Sequence, residues 1–541
     1  MVLPREEGPK RVLELLGVPH AVVMQENVVV ESDHAQALLT TLGWPAKNTQ
    51  TLLDIMDRHQ DKNTLELVNL FSPYMIRDKA GTFIGARMGR PEKAKMRELT
   101  GSPHCLFPVG EEGGRFRSFQ SAIEKGVITA EFARYVCSNC NHETALSVCE
   151  QCDKPAQRTW HCKACNAWIN EPKCPKHGEA TAYREMKIAA RKYFESAAAK
   201  IGMRNYPELI KGVRGTSNND HVAEHLAKGI LRAKHQLTVN KDGTIRYDMT
   251  QLPVTHFKPK EIGTSIERLK ELGYEKDVHG RQLERDDQVL ELLPQDVILP
   301  DCDASPDEGS ASVLTRIANF IDDELKSLYG LEPYYCVKTP QDLVGHLVIG
   351  LAPHTSAGIV CRIIGFSKTQ GFFAHPYIHA ATRRDCDGDE ACTILLMDAF
   401  LNFSKKYLPS TRGATMDAPL VLTSILTPSE VDDMVFDVDI VWQYPLELYE
   451  AAMQYKMPWE IKLKQIKTVL NKPEQYEGFG FTHDLTDMNE TVRCSAYKTL
   501  PSMEEKLKGQ MELAEKLRAV SYTHLRAHET PEHLVCRLLL E

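Results

Sequence analysis

The sharpest chemistry in the sequence lies in one short run, Arg383-Arg384-Asp385-Cys386-Asp387-Gly388-Asp389-Glu390. Asp385, Asp387 and Asp389 alternate, and on an extended or tightly turned segment alternate residues point the same way. Three carboxylates on one side repel strongly unless a hard cation sits among them. An oxygen-only donor set suits Mg2+ or Mn2+. An EF-hand fails on spacing. With Asp385 first, the sixth position is Glu390 where glycine is needed, and the twelfth is Leu396 where glutamate is needed. A solvated acidic loop is the bland alternative, and the surroundings argue against it. The 42 residues between Asp342 and Asp385 contain no acid, yet they carry Arg362, Lys368, Arg383, Arg384 and the histidines His346, His354, His375 and His379. Acid confined to one point of a basic, apolar stretch fits metal ions on the carboxylates and a polyanion on the cations. His375 and His379 read more readily as packed histidines than as proton donors. Cys386 reads as a small apolar residue.

A second cluster is built of cysteines. Seven of the fifteen fall between Cys137 and Cys174, which in a chain without a secretory signal points to metal before disulfides. Cys137, Cys140, Cys149 and Cys152 follow the plan CxxC-x8-CxxC. Cys162, Cys165, Cys174 and His177 repeat it as CxxC-x8-CxxH. A CxxC turn brings two thiolates to one metal, and two such turns complete a tetrahedral Zn2+ shell. A closed shell leaves no position for a reacting water, so two structural zincs are expected; an iron–sulfur cluster or a redox dithiol is the alternative. A third motif is cationic. Residues 72–97 carry Arg77, Lys79, Arg87, Arg90, Lys93, Lys95 and Arg97 against two acids, with Gly81, Gly85 and Gly89 spaced by four. Glycines let backbone amides approach a ligand closely, and the flanking cations suit phosphate; a solvated basic loop is the alternative.

The rest of the chain must position these groups. Its 541 residues, 42% hydrophobic and 26% charged, are ordinary globular usage and too long for one domain; about three or four are expected. The net charge of −9 excludes a basic signature over the whole chain but not a local basic channel. No apolar stretch approaches the length of a membrane helix and the N-terminus is no secretory signal, so no membrane association and a cytoplasmic location are expected. Residues 1–70 read as a mixed N-terminal segment, with strand-like VVMQENVVVES and helical HAQALLTTLGW and NTLELVNLF. Residues 71–136 hold the basic loop and 137–180 the zinc modules. Residues 181–330 read as helical, with a hairpin around Asp242-Gly243 in LTVNKDGTIRYDMT and an amphipathic helix ending at Gly330. Residues 331–445 are β-rich and apolar, as in a barrel or sandwich. Residues 446–520 are helical and charged. Residues 521–541 resemble a translated sequencing adapter and are expected not to be native.

The run HPYIHAATRRDCDGDEACTILLMDAFLNFSKKYLPSTRGATMDAPLVLTSIL resembles the catalytic heart of the large subunit of the archaeal family D DNA polymerase. GARMGRPEKAKMR, the double zinc block and KGVRGTSNNDHVAEHLAKGILRAKH match that family in the same order, over residues 70–519. The resemblance implies an α+β multidomain fold. Two double-psi β-barrels would form the catalytic core, with two inserted zinc ribbons and flanking helices. The segments 71–136 and 181–330 would build the first barrel and 331–445 the second. The D-x-D-G-D pattern also resembles the metal loop of multisubunit RNA polymerases.

The resemblance further implies a replicative DNA-directed DNA polymerase that moves a nucleotide from a dNTP to a primer 3′-hydroxyl. Asp385, Asp387 and Asp389 would hold two Mg2+ ions beside the two structural Zn2+. Arg87, Arg90, Lys93, Lys95, Lys368, Arg383 and Arg384 are candidates for primer–template and nucleotide contacts. Asp385 stands where the family commonly has Asn, and Ala391 where an acid is usual. The implied partners are a small subunit with 3′–5′ exonuclease activity and a sliding clamp reached through a C-terminal segment beyond residue 520. The chain is therefore expected to be a fragment. Rival readings are an RNA-synthesising double-psi-barrel polymerase subunit, a non-catalytic zinc-ribbon DNA-binding scaffold and, with least support, a nuclease.

Overall fold

The computed structural model describes residues 1–4, 6, 10–13, 18–23, 26–44, 48–77, 94, 96, 98–353, 355, 357–409, 420–482, 487–490, 493–494 and 502–516. The chain divides into two units, one of Met1–Ala86, Tyr444–Lys462 and Leu500–Glu541, the other of Arg87–Gln443 and Leu463–Thr499. Both strands and helices build it, so the architecture is mixed α+β.

In the first unit Asn27–Val29 lies between Val2–Pro4 and Ala21–Val23 in a small antiparallel sheet. The strand-like segment and both expected helices are present, the helices as Ser32–Thr41 and Thr64–Phe71. Asn63 explains where the second one starts. Its side chain accepts from the Glu66 amide at 2.9 Å, and the Glu66 carboxylate accepts from the Asn63 amide at 3.2 Å. This reciprocal cap satisfies two donors that a helix start otherwise leaves open.

The second unit begins with an antiparallel sheet that carries the cysteine modules. Strand β1 (Val127–Cys137) pairs with β2 (Ala156–Cys162) on one side and β3 (Tyr183–Ala189) on the other. Helix α1 (Ala190–Lys200) follows directly, and α2 (Leu226–Lys234) packs against α1. Tyr183–Ala189, inside the stretch expected to be helical from residue 181, form a strand instead, because the ladder to β1 supplies hydrogen bonds that local propensity cannot foresee.

The β-rich part closes on itself. Its strands are β4 (Tyr247–Pro253), β5 (Asp296–Pro300), β6 (Leu347–Leu351), β7 (Ala357–Ser367), β8 (Gly371–Ala374), β9 (Glu390–Leu395) and β10 (Val421–Thr423). They run in the order β5-β8-β4-β9-β6-β7-β10, and β5 also pairs with β7. That extra parallel ladder closes six strands into a ring, with β10 attached outside. The β8–β4 and β7–β5 ladders are parallel and the other four of the ring antiparallel. Two of the six strands precede residue 331. The other sheets among the described residues stay open.

Alternation along the strands separates two cores. Val297 and Leu299 of β5 join the main core while Ile298 faces another cluster; Ile363 and Ile364 of β7 divide in the same way. In β9, Ala391 and Leu395 enter the main core and Cys392 and Ile394 a third cluster. Strands buried on both faces must be apolar at successive positions, which is why the sequence here shows continuous apolar runs. The hairpin expected at Asp242-Gly243 is not formed. The turn exists, with Gly243 at φ +94, but β4 pairs with β8 and β9 and not with the segment before the turn. The amphipathic helix α3 (Ser310–Glu324) continues as one wider turn, Leu325–Tyr329, and ends as expected at Gly330, φ +66.

Two cations of helix α2 turn inward. Arg232 of α2 is fully buried and forms a two-bond pair with the buried Glu224, at 2.9 and 2.8 Å. It also donates to the Gly243 carbonyl at 2.8 Å. Lys228 pairs with the buried Glu324 at 3.0 Å and donates to the Asn402 side chain at 2.6 Å. The Asn402 amide in turn donates to Asp398 at 2.8 Å and to Glu324 at 2.9 Å. Buried charges need such partners, and these bonds join α2, α3 and helix α5 (Leu396–Asn402).

Candidate metal centres and active-site loop

The eight expected zinc ligands come together as two groups, Cys137/Cys140/Cys149/Cys152 and Cys162/Cys165/Cys174/His177, the ligand atoms of each within 4.8 Å of one another. In the first, Sγ separations are 3.4 Å for Cys137–Cys152 and 3.6 Å for both Cys140–Cys149 and Cys140–Cys152. In the second, His177 Nδ1 lies 3.6 Å from both Cys162 and Cys174, and Cys165 lies 4.0 Å from Cys174. A disulfide would bring two sulfurs to about 2.05 Å. A tetrahedral zinc with arms of about 2.3 Å spaces its ligands by about 3.8 Å. The donor sets therefore fit zinc, as four thiolates and as three thiolates with one imidazole.

Backbone geometry prepares both shells. The amide of Cys140 holds the Cys137 thiol down to about 6, and the amides of Cys165 and Lys176 lower Cys162 and Cys174. Cys137, Cys162 and Cys174 thus lean toward the thiolate that binds metal, while neighbouring thiols raise Cys140 and Cys165 and burial raises Cys149. The first module is docked: Tyr193 Oη accepts from the Ala145 amide at 2.9 Å, Ser196 donates to the Glu150 carbonyl at 2.8 Å, and Lys200 meets Asp153 at 2.6 Å. Around the second, Arg134 lies 4.8 Å over the Trp168 ring.

The aspartate loop lies on the barrel. Helix α4 (Pro376–Ala381) leads into it, and β9 leaves it at Glu390. Arg383 at φ +54 and Gly388 at φ +104 make the turn. Gly388 is buried, and only glycine takes such an angle without strain. The Gln251 amide donates to the Asp389 carbonyl at 2.8 Å, and Glu390 stands opposite Thr250. The loop is therefore tied to β4 where it becomes β9. Asp387 and Asp389 are half-buried and Asp385 is exposed. The structure places the three on one tight turn; like charges repel, and a hard dication is what would hold this oxygen-only set together.

The expected cations divide. Arg383 is exposed, and so is Lys368, which follows β7 and donates its amide to Asn489 at 2.8 Å. Arg384 is half-buried; its Nε is shielded from solvent and makes no hydrogen bond among the described residues. Arg362 has a structural role: it binds Asp296 at 2.8 and 2.7 Å and the Leu272 carbonyl at 2.9 Å. His375 caps α4 by accepting from the Tyr377 amide at 3.2 Å. Burial lowers its pKa to about 3 and that of His379 to about 4, so both are neutral packing groups. Asp248 on β4 shares with Glu390 one face of the β4–β9 ladder; no motif marks it in the sequence, since only strand pairing puts it there. Arg87, Arg90, Lys93 and Lys95, with their glycines, lie outside the described residues, as do His354, Arg412, Asp417 and residues 521–541.

Residues 202–506 match the family model described as DNA polymerase II large subunit DP2, catalytic domain, and residues 1–171 match the one described as its central domain. The DNA polymerase II large subunit of Archaeoglobus fulgidus is 44% identical over 99% of this chain and 46% of its own length. Those of Methanothermobacter thermautotrophicus and Pyrococcus furiosus are 44% and 43% identical over 94% and 97% of this chain, and 43% and 41% of their own. The chain thus spans about half the length of the curated relatives it matches.

Proposed function

For a chain that belongs to the family of DNA polymerase II large subunits, we propose template-directed DNA synthesis, by transfer of a nucleotide from a dNTP to a primer 3′-hydroxyl. The observation that carries this reading is the loop Asp385–Asp389. It falls inside the stretch matched to the family's catalytic domain, and its backbone is fixed to the barrel through Gln251. Asp385, Asp387 and Asp389 hold two Mg2+ ions. Such ions lower the pKa of an attacking hydroxyl and neutralise charge on the departing pyrophosphate. Arg383 and Lys368, both exposed, and Arg384, whose Nε has no partner among the described residues, bind the triphosphate or the strand backbone. Arg87, Arg90, Lys93 and Lys95 add cations for the primer. Phosphoryl transfer asks the protein for position and charge rather than covalent chemistry, and a turn held by β4 and β9 supplies a fixed position. The six-stranded ring is the double-psi barrel of this reading. The partners are primer–template DNA, a small 3′–5′ exonuclease subunit and a sliding clamp.

The test is primer extension by the full-length large subunit assembled with its small subunit. Asp387→Asn and Asp389→Asn are expected to abolish synthesis and leave duplex binding within about twofold. Full activity in either variant overturns the assignment. Extension with ribonucleotides in preference to deoxyribonucleotides would replace DNA synthesis by RNA synthesis.

A further inference from the structure

A cavity of about 230 Å³ lies in the second unit, lined by none of the aspartate-loop residues or cysteine ligands. Arg117, Arg214 and Lys241 contribute to its wall, together with Thr216 and Ser217, and no acid does. The three cations come from separate segments, and backbone bonds join those of Arg117 and Arg214. The Gly212 amide donates to the Arg117 carbonyl at 2.9 Å, and the Gly110 amide to the Arg214 carbonyl at 3.1 Å. The turn bearing Lys241 is closed by the Asn240 amide on the Thr244 carbonyl at 2.9 Å, and the Ser404 amide donates to the Asp242 carbonyl at 2.8 Å.

The three cations are held only weakly. Lys241 is exposed and makes no ion pair among the described residues. Arg117 reaches the Thr100 carbonyl, which leaves its charge unneutralised. Arg214 meets Glu111 at 2.9 Å, but both side chains are at least 70% exposed, and such a pair holds by less than about 1 kcal/mol. The amides of Gly215, Thr216 and Ser217 make no hydrogen bond among the described residues. Three cations, the Ser217 hydroxyl and open amides surround a space several water molecules wide and suit a tetrahedral oxyanion, while the Thr216 hydroxyl is shared with His221 Nδ1 at 3.3 Å.

We propose that this cavity binds a phosphate group of a nucleic-acid strand, as a second anchoring point separate from the aspartate loop. The inference rests on the polymerase reading for the identity of the strand, while its chemistry would equally take the phosphates of a free nucleoside triphosphate. The cluster differs from the cations of α2 in one respect: Lys228 and Arg232 are consumed by buried carboxylates, whereas these three face a cavity that no carboxylate lines.

The experiment measures binding of the 541-residue chain to a fluorescent primer–template duplex by anisotropy over a range of salt, without magnesium or nucleotide. dGTP binding is measured in parallel by calorimetry. The variant is Arg117→Gln/Arg214→Gln/Lys241→Gln. Because Arg117 also holds the Thr100 carbonyl, Arg214→Gln/Lys241→Gln serves where the triple variant unfolds. For a strand phosphate, duplex affinity falls roughly tenfold and the slope of log K against log salt falls by about 0.9 for each phosphate no longer neutralised, with dGTP binding unchanged. Loss of dGTP binding with duplex binding intact assigns the cavity to the triphosphate and overturns the strand. Unchanged duplex and dGTP binding overturns the cavity alone. Failure of the unsubstituted chain to bind either probe overturns the cavity and the polymerase reading together.

Discussion

Arg232→Met separates the value of a buried ion pair from that of its packing. Arg232 and Glu224 are both fully buried and meet through two parallel bonds of 2.9 and 2.8 Å. Arg232 also serves the Gly243 carbonyl at 2.8 Å and the His104 carbonyl at 3.2 Å. Methionine keeps much of the aliphatic volume but leaves the Glu224 carboxylate with the Leu106 amide, 3.0 Å away, as its hydrogen-bond donor. Breaking such a pair by removing one partner costs about 3–5 kcal/mol, whereas replacing both partners by apolar groups is close to neutral. Arg232→Met/Glu224→Leu is therefore expected to be more stable than Arg232→Met. It still loses about 1–3 kcal/mol for each buried group left without a partner, here the Leu106 amide and the Gly243 carbonyl.

Urea unfolding of the zinc-loaded chain, followed by tryptophan fluorescence, measures these differences, and pH adds a second axis. Burial pushes the Glu224 carboxyl up, but the Arg232 guanidinium outweighs it and holds the group below its usual range. Its stabilisation is thus present above the unfolded carboxylate range and lost as pH falls through the lowered native value. Without Arg232, burial is opposed only by Lys228 and the Leu106 amide, so the variant suffers at neutral pH and recovers as the carboxyl takes up a proton. The gap between the two proteins therefore narrows as pH falls from neutral toward the carboxylate range. A single variant within about 1 kcal/mol of the parent at neutral pH, or a gap that does not narrow, refutes the reasoning.

Cys174→Ser is expected to halve the zinc content while the first module keeps its metal, as read by mass spectrometry of the purified chain; two zincs retained per chain would remove the second shell from the structure. Gly229→Ala places a Cβ 2.3 Å from Cys105 Cβ and should cost about 1–3 kcal/mol by overpacking. Gly215→Ala meets nothing within 4 Å and should be near neutral, so equal thermal midpoints for the two variants would contradict the packing. Asp398, fully buried, is pushed up to about 7 by desolvation, with the Ile245 amide and Asn402 opposing. Its native value lies above the unfolded one, so it subtracts stability increasingly as pH rises from about 4 to about 7 and by a constant amount above that. Asp398→Asn should flatten that window in the difference between the two pH–stability profiles, and an unchanged slope would show the group to be ionised throughout.

The sequence by itself determined whatever depends on neighbours a few residues away. Both zinc shells were legible because CxxC and CxxH turns fix two donors per knuckle. The Asn63 cap and the stop at Gly330 were local too, and so was the tight turn of the aspartate loop. Continuous apolar runs announced strands buried on both faces, but a strand does not encode its partner. The ring closes through β5 on β7, joining residues 296–300 to 362–367, and it takes β4 away from the hairpin that Asp242-Gly243 suggested. Charge was read least well. Nothing local in the sequence marks Lys228 and Arg232 as the buried ion-pair partners they are in the fold. Arg117, Arg214 and Lys241, far apart in the chain, meet at one cavity. The physical reason is range. Covalent geometry sets turns and ligand spacing within a few bonds, whereas the side on which a cation lies is settled only when distant segments compete to bury it or leave it to water.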